Sequence, residues 1–420
     1  MNRVVEPGRA RGTLNAIPSK SQAHRLLIAA ALSAGDSRIR CGALSDDILY
    51  TAHCLQALCA QVRRTPEGFH VAPRPTAEQA ELDCGESGST YRFMLPVAAA
   101  LGCEAVFLLR GRLPQRPMDA LFDCLEKNGV RIEGKGTERV RITGRLRGGT
   151  WQVAGDISSQ FITGLLLAAP LTGEECRIEL TSPLVSGDYV AITLAAMQAY
   201  GITVRHTADG FLVPGGQAYA APGSQTVEGD WSNAAFWLCL AAAGKGDVTV
   251  AGLREDSPQG DKAILTILQQ YGAGVTAGDV GIRMQGDVLT ACAVDIGETP
   301  DLAPAIALLA LAAKGESEMR SISRLRLKES DRAQAIVETI QNLGGTARVD
   351  GDSLFITGGQ ALAGGTVSSW GDHRIAMMGA CAAALCTGPV TIRGAEAVSK
   401  SYPGFFDDLR ALGISTREEA

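Results

Sequence analysis

The chain has 420 residues, too many for one ordinary core and enough for two or three domains. Hydrophobic residues make up 46% and charged residues 20%, the balance of a soluble globular protein, and 45 acidic against 39 basic residues argue against nucleic acid or an anionic membrane as the main partner. The longest apolar runs, such as LAPAIALLALAA at 302–313, fall short of the roughly 18 residues of a membrane span. MNRVVEPGR lacks the apolar stretch of a signal peptide, and the eleven cysteines are scattered with no Cys-x-x-Cys pair, which reads as reduced cytoplasmic thiols.

The first predicted helix lies in PSKSQAHRLLIAAALSAG, residues 18–35. Leu26, Leu27, Ile28 and a run of alanines give it a buried body, and Gly35 stands where a helix commonly ends. Ser19 or Ser21 can cap its start, yet Lys20 sits at that start and Arg25 one turn inside. The helix dipole is positive there, so each cation should cost roughly 0.3–1 kcal/mol. Five later segments repeat the design: GESGSTYRFMLPVAAALG, GDISSQFITGLLLAAPLTG, GDWSNAAFWLCLAAAG, GETPDLAPAIALLALAAKG and GDHRIAMMGACAAALCTG. Each is a polar turn, an apolar helix and a glycine stop, and a short β-rich run follows most of them.

The stop glycines, Gly35, Gly102, Gly173, Gly244, Gly315 and Gly388, lie 67 to 73 residues apart. A second, more amphipathic helix ends between them at Gly129, Gly201, Gly272, Gly344 and Gly413, whereas the first repeat reads LQALCAQV there, without glycine. Six repeats of about 70 residues account for the chain. Helices apolar nearly all round belong inside, so the sheets should lie outside them. A repeat this long suits two domains of three repeats better than a solenoid. If the inner helices run parallel, their N-termini converge and offer unpaired N–H groups to an anion.

Cations recur at these helix starts. Arg116 precedes a helix begun by Pro117, Lys328 and Arg332 flank another start, Arg374 lies in a first turn, and Lys400 precedes the last helix. Singly, each reads as a solvated charge; together, at matching ends of the repeats, they point to an anionic ligand. Arg92 sits deeper in an apolar helix and is expected to pair with a neighbouring carboxylate. Asp301 opens an inner helix and Glu329 lies among the cations, each a cap or neutralising charge by default. Ser158, Ser159 and Gln160 are adjacent hydrogen-bonding side chains suited to a polyhydroxylated ligand.

The ordered set PSKSQAHR, GESGSTYRF, RPMDAL, DISSQF, LKESDR, GDHRIAM and SKSYPGFF resembles the 5-enolpyruvylshikimate-3-phosphate synthase family, from about Ile17 to Phe406. The resemblance implies a two-domain inside-out α/β barrel of six βαβαββ-like repeats, three per domain, with parallel inner helices whose N-termini open on the interdomain cleft. It implies an N-terminal domain over 13–228, a C-terminal domain of 1–12 plus 229–420, and two chain crossovers. It also implies that the 5-hydroxyl of shikimate 3-phosphate adds to C2 of phosphoenolpyruvate while C3 takes a proton, after which phosphate leaves.

By motif, Lys20, Ser21, Arg25, Ser158, Ser159, Gln160, Ser186, Asp301 and Lys328 become shikimate 3-phosphate contacts. Lys20, Gly88, Arg116, Gln160, Arg332, Arg374 and Lys400 become phosphoenolpyruvate contacts, and Asp301 and Glu329 the proton-transfer groups, with Lys20 assisting. The implied chemistry involves no redox step, so neither cofactor nor metal is expected. The implied protein is a cytoplasmic monomer, inhibited competitively by glyphosate. Arg324 stands where many relatives carry asparagine as a sugar contact, which leaves its own contact open. Two rivals remain. The sister family that uses UDP-N-acetylglucosamine carries a reactive cysteine shortly before the matched Arg-Pro, where this chain's nearest is Cys103. A non-catalytic anion binder would need the cations but neither Asp301 nor Glu329.

Overall fold

The computed structural model describes residues 1–419. The chain forms two compact units: a central one, Pro18–Val227, and a composite one in which Met1–Ile17 joins the chain from Glu228 onward. Among the described residues, twelve α-helices alternate along the sequence. The central unit holds α1 (Lys20–Leu32), α2 (Asp46–Leu58), α3 (Gly88–Leu101), α4 (Asp119–Lys127), α5 (Ser159–Ala168) and α6 (Gly187–Ala199). The composite unit holds α7 (Trp231–Ala243), α8 (Ile264–Gln270), α9 (Ala303–Ala312), α10 (Arg332–Asn342), α11 (His373–Ala382) and α12 (Phe405–Ala411).

The odd-numbered helices are the apolar ones, and they are interior. Every residue of α7 is buried, and α3 is buried from Thr90 to Ala100. Strands such as Glu104–Leu109 and Asp247–Ala251 bury alternate residues only, so each sheet turns one face to the helices and the other outward.

All six sheets have four strands and one order. In one of them Gln79–Gly85 lies parallel to Glu104–Leu109, joined through α3, and Arg139–Gly144 then pairs antiparallel to both Glu104–Leu109 and Val130–Glu133. Three sheets borrow a strand from far along the chain. Ser224–Thr226 lies beside Ser37–Arg40 in the central unit. In the composite unit Arg11–Asn15 lies parallel to Asp247–Ala251, and Asn2–Val5 sits between Val390–Arg393 and Thr416–Glu419. Thr13 is thus inside a strand, paired with Thr249, and the chain leaves the composite unit only after Ile17.

Glycine closes the second helix of five repeats because the chain there turns left-handed: Gly129, Gly201, Gly272, Gly344 and Gly413 have φ between 81° and 103°. The first repeat needs none, since Cys59 closes α2 with φ −156°. No helix among the described residues is long and apolar enough to cross a membrane.

Candidate functional site

In the central unit the inner helices begin on neutral caps. Ser19 accepts from the Gln22 N–H at the start of α1, Ser87 from Thr90 at α3, and Ser158 from Gln160 at α5. Lys20 is the first residue of α1, and its ammonium lies 2.7 Å from Asp47 on α2. Asp47 was not visible as a partner in the sequence, where DDILY reads only as acid in a helix's first turn.

Arg25 is 2% exposed, and its guanidinium meets no carboxylate among the described residues. It donates to Thr193 Oγ1 at 2.7 Å, Thr163 Oγ1 at 3.2 Å, the Ser21 carbonyl at 2.5 Å and the Tyr189 carbonyl at 2.9 Å, and stacks over Phe93. Burial lowers its pKa to about 9. Ser186 caps α6 with a left-handed backbone, φ 52° and ψ 49°.

Arg92 departs from expectation. Instead of a carboxylate it finds the Gln160 Oε1 at 2.7 Å, the Pro117 carbonyl at 3.1 Å and the face of Phe161. Burial and the nearby Arg116 press its pKa well below the ordinary arginine value. The Gln160 amide also donates to Ser89 Oγ at 2.9 Å, so Arg92 and Ser89 fix which way that amide points. Gly88 begins α3, and a Cβ placed there would lie 2.5 Å from Arg116 Nη1; the absent side chain is what lets the guanidinium rest against the helix start.

The composite unit is built oppositely. Asp230 caps α7 and Asp372 caps α11, while Asp301 lies in the single turn Pro300–Leu302 that leads into α9. Asp301 gathers three cations: Arg332 Nη1 at 2.6 Å, Lys328 Nζ at 3.2 Å and Arg374 Nη2 at 3.5 Å. Burial pushes its pKa up, but Lys328, Arg374 and Arg332 outweigh that and hold it well below the usual carboxylate range.

Arg332, 2% exposed, also donates from Nε to Asp372 at 2.8 Å. Burial works against its charge, and Asp372, Asp301 and Glu329 more than offset that. Lys328 is brought down to about 8 by burial, opposed by Asp301 and helped by Arg332 and Arg324. Arg324 turns to the main chain, where Nη1 donates to the Gly297 carbonyl at 3.1 Å.

Glu329 lies 2.9 Å from Nδ1 of His373, itself 1% exposed. His373 escaped the sequence reading, in which GDHRIAM yielded only the arginine. Glu329, Asp372 and His373 bring three ligand-type atoms within 4.8 Å of one another, but both Asp372 oxygens accept from Arg332, which makes this an ion-pair cluster rather than a ready cation cage. Lys400 donates to the Gly371 carbonyl at 2.6 Å, one residue before that cap. Cys103 is 1% exposed and burial pushes its thiol up to about 11, the reverse of a reactive cysteine.

The solved structure of EPSP synthase from Acinetobacter baumannii superposes with a TM-score of 0.82 at 24% identity, covering 99% of this chain and 100% of that one. The fold is therefore the two-domain inside-out α/β barrel. The family described as EPSP synthase (3-phosphoshikimate 1-carboxyvinyltransferase) matches residues 4–409. Two relatives of that name, from Clostridium kluyveri and Methanocorpusculum labreanum, are each 38% identical, covering 97% of this chain and 96% of the former, and 100% of both chains for the latter. The chain belongs to the EPSP synthase family. It is an enolpyruvyl transferase of the shikimate pathway to aromatic amino acids, and its substrates are shikimate 3-phosphate and phosphoenolpyruvate.

Proposed function

We propose a division of labour in this transfer. In the central unit Lys20, Ser21, Arg25, Ser158, Ser159, Gln160 and Ser186 bind shikimate 3-phosphate, while Lys20, Gly88, Gln160 and Arg116 receive the phosphate of phosphoenolpyruvate. In the composite unit Arg332, Arg374 and Lys400 bind phosphoenolpyruvate, and Asp301 and Lys328 take the sugar hydroxyls. The observation that carries this reading is the Asp301 carboxylate shared by Lys328, Arg332 and Arg374, beside the Glu329–His373 pair.

The chemistry follows from those charges. Asp301, surrounded by cations, is a weak base until anionic substrates neutralise its neighbours; binding raises its basicity where the 5-hydroxyl must lose its proton. Glu329 delivers a proton to C3 of phosphoenolpyruvate, and His373 behind it supplies or steadies that proton. Carbon–oxygen bond formation at C2 gives a tetrahedral adduct, and as phosphate leaves C2 the C3 methyl returns a proton to Glu329, which restores the carbon–carbon double bond of the enol ether. Glyphosate competes with phosphoenolpyruvate for the same cations, and the protein acts as a cytoplasmic monomer.

Glu329→Gln tests the assignment, because it keeps the shape and removes the exchangeable proton. Turnover should fall by about 10²–10⁴, with parallel loss of solvent-deuterium incorporation at C3 and unchanged calorimetric affinity for shikimate 3-phosphate. Near-normal incorporation would move the donor's role to Lys20.

A further inference from the structure

Four helices of the central unit meet at the Arg25 guanidinium. Arg25 extends from α1, Thr163 reaches it from α5, Thr193 and the Tyr189 carbonyl reach it from α6, and the Phe93 ring of α3 lies 5.0 Å away. Thr163 and Thr193 are fully buried. Their hydroxyls lie 2.8 Å apart, and Thr193 Oγ1 is also 3.0 Å from the Tyr189 carbonyl. A guanidinium only donates, so both hydroxyls accept from Arg25 and spend their own protons elsewhere. One assignment gives each proton an acceptor: Thr193 donates to the Tyr189 carbonyl, and Thr163 donates to Thr193.

The donor count fixes what is left for a ligand. A guanidinium carries five N–H groups in one plane. Nε–H goes to Thr193 at 2.7 Å, the two on Nη2 go to Thr163 at 3.2 Å and the Tyr189 carbonyl at 2.9 Å, and one on Nη1 goes to the Ser21 carbonyl at 2.5 Å. The second Nη1 hydrogen has no acceptor among the described residues. All four acceptors are neutral, so they solvate the guanidinium without cancelling its charge. A carboxylate in their place would cancel it, as Asp372 does for Arg332 at 2.8 Å.

We propose that Thr163 and Thr193 are positioning residues for Arg25: they hold its Nε–Nη2 edge and leave one Nη1–H and an uncancelled charge for an anionic oxygen of shikimate 3-phosphate. The inference rests on the reading of Arg25 as a contact of that substrate. It adds that Arg25 gives the substrate a single hydrogen bond and not a fork, because every adjacent pair of N–H groups includes one already in use. Without the Thr193 hydroxyl, Nε–H is buried unpaired, and the guanidinium must turn to find another acceptor.

Thr193→Val tests this, because valine keeps the branched shape and lacks the hydroxyl. The calorimetric Kd for shikimate 3-phosphate should rise about tenfold. The KM for phosphoenolpyruvate, at saturating shikimate 3-phosphate, should move less than about twofold. Thr193→Ser, which restores the acceptor, should bind within about twofold of wild type. A merely structural hydroxyl would lower the unfolding midpoint and leave the Kd alone. The decisive comparison repeats the change in Arg25→Met, where Thr193→Val should leave the Kd unaltered, since the hydroxyl acts only through Arg25. Equal weakening with and without Arg25 would overturn the inference, and so would an unchanged Kd in the folded single variant; a weakly binding Arg25→Met then keeps the reading of Arg25 standing. An Arg25→Met protein of wild-type affinity would remove that reading and the inference together. If Thr193→Val fails to fold, Thr163→Val takes its place in the same comparison, and the same two results overturn the inference.

Discussion

The two units start their inner helices differently. Those of the central unit begin on Ser19, Ser87 and Ser158, and its buried arginines, Arg25 and Arg92, rest on hydroxyls, carbonyls, an amide and aromatic faces. The composite unit places Asp230, Asp301 and Asp372 at the equivalent starts and interlocks its cations with Asp301 and Asp372. Positive charge near a helix N-terminus is unfavourable; in the central unit Lys20 is met by Asp47 from α2, whereas Arg25 and Arg92 are held by neutral groups alone. The composite unit answers its cations with its own carboxylates, Asp301 and Asp372. One architecture, with its caps exchanged, yields a face of neutral caps and a face of ion pairs.

The contrast breaks most sharply if one charge is removed from each side. Asp372→Asn takes the carboxylate from a residue that is 0% exposed and pairs with Arg332 at 2.8 Å, leaving a buried guanidinium uncompensated. Denaturant unfolding should show a loss of about 3–5 kcal/mol. Arg25→Met removes a desolvated charge that has no carboxylate to orphan, and Thr163 and Thr193 still bond each other at 2.8 Å. Its stability should change by about 1 kcal/mol or less in either direction, since the desolvation relieved and the hydrogen bonds lost nearly cancel. Calorimetric affinity for shikimate 3-phosphate should fall by about 2–5 kcal/mol. Equal destabilisation of the two variants would mean that the distinction between the faces is wrong.

A smaller effect sharpens the same point within the central unit. Gly88→Ala places a methyl 2.5 Å from Arg116 Nη1, and the flexible guanidinium must move. Stability should hold or improve slightly, since alanine is the better helix residue. The KM for phosphoenolpyruvate should rise about tenfold, the weakening of one charge-assisted hydrogen bond by about 1.4 kcal/mol. Glyphosate, being slightly longer, should be weakened more. Equal glyphosate affinity in both proteins would show that the methyl does not reach the ligand's position.

Much of the fold was legible because it is written in local terms. The six apolar helices depend on neighbours a few residues away, and so do the left-handed closures at Gly129 and its counterparts. Of the six stop glycines only Gly102 and Gly244 cap their α-helix, while α1 ends on Ser33, α9 on Ala313 before Gly315 opens a strand, and α11 well before Gly388. Cations at helix starts stood out because they violate a local rule. Partnerships did not stand out. Asp47 meets Lys20 across 27 residues, His373 meets Glu329 across 44, and Asp372 meets Arg332 across 40. Each has a sufficient local explanation, as first-turn acid, helix residue or cap, and nothing in the sequence presses for another. Arg92 shows the opposite case: its place deep in an apolar helix predicts burial, but the partner is a glutamine amide 68 residues away rather than a carboxylate.

The central unit also buries a titrating group beside Lys20 and Arg25. His24 is 0% exposed; Nδ1 pairs with Thr51 Oγ1 at 2.7 Å, in a chain that continues through Thr90 to Ser87, and Nε2 has no hydrogen-bond partner. Burial, then Lys20 and Arg25, hold its pKa well below 6.5. Below pH 6.5 the unfolded chain therefore binds a proton that the folded one refuses. Stability from this residue is constant above about pH 7 and falls on acidification, by at most about 1.4 kcal/mol per pH unit. Asp261, raised to about 6, acts with opposite sign in that range: the folded state takes up its proton first, and stability rises as pH falls through 6. Asp301 and Asp372, held below 3.8, contribute stability that is lost only at more acidic pH. The wild-type profile alone would mix these terms, so the measurement is the difference between wild type and His24→Gln, whose amide can still pair with Thr51. That difference should be flat above pH 7 and move in the variant's favour by about 1–2 kcal/mol by pH 5. A difference independent of pH would mean that the imidazole accepts its proton without penalty, and that the central unit tolerates still more positive charge than Lys20 and Arg25 imply.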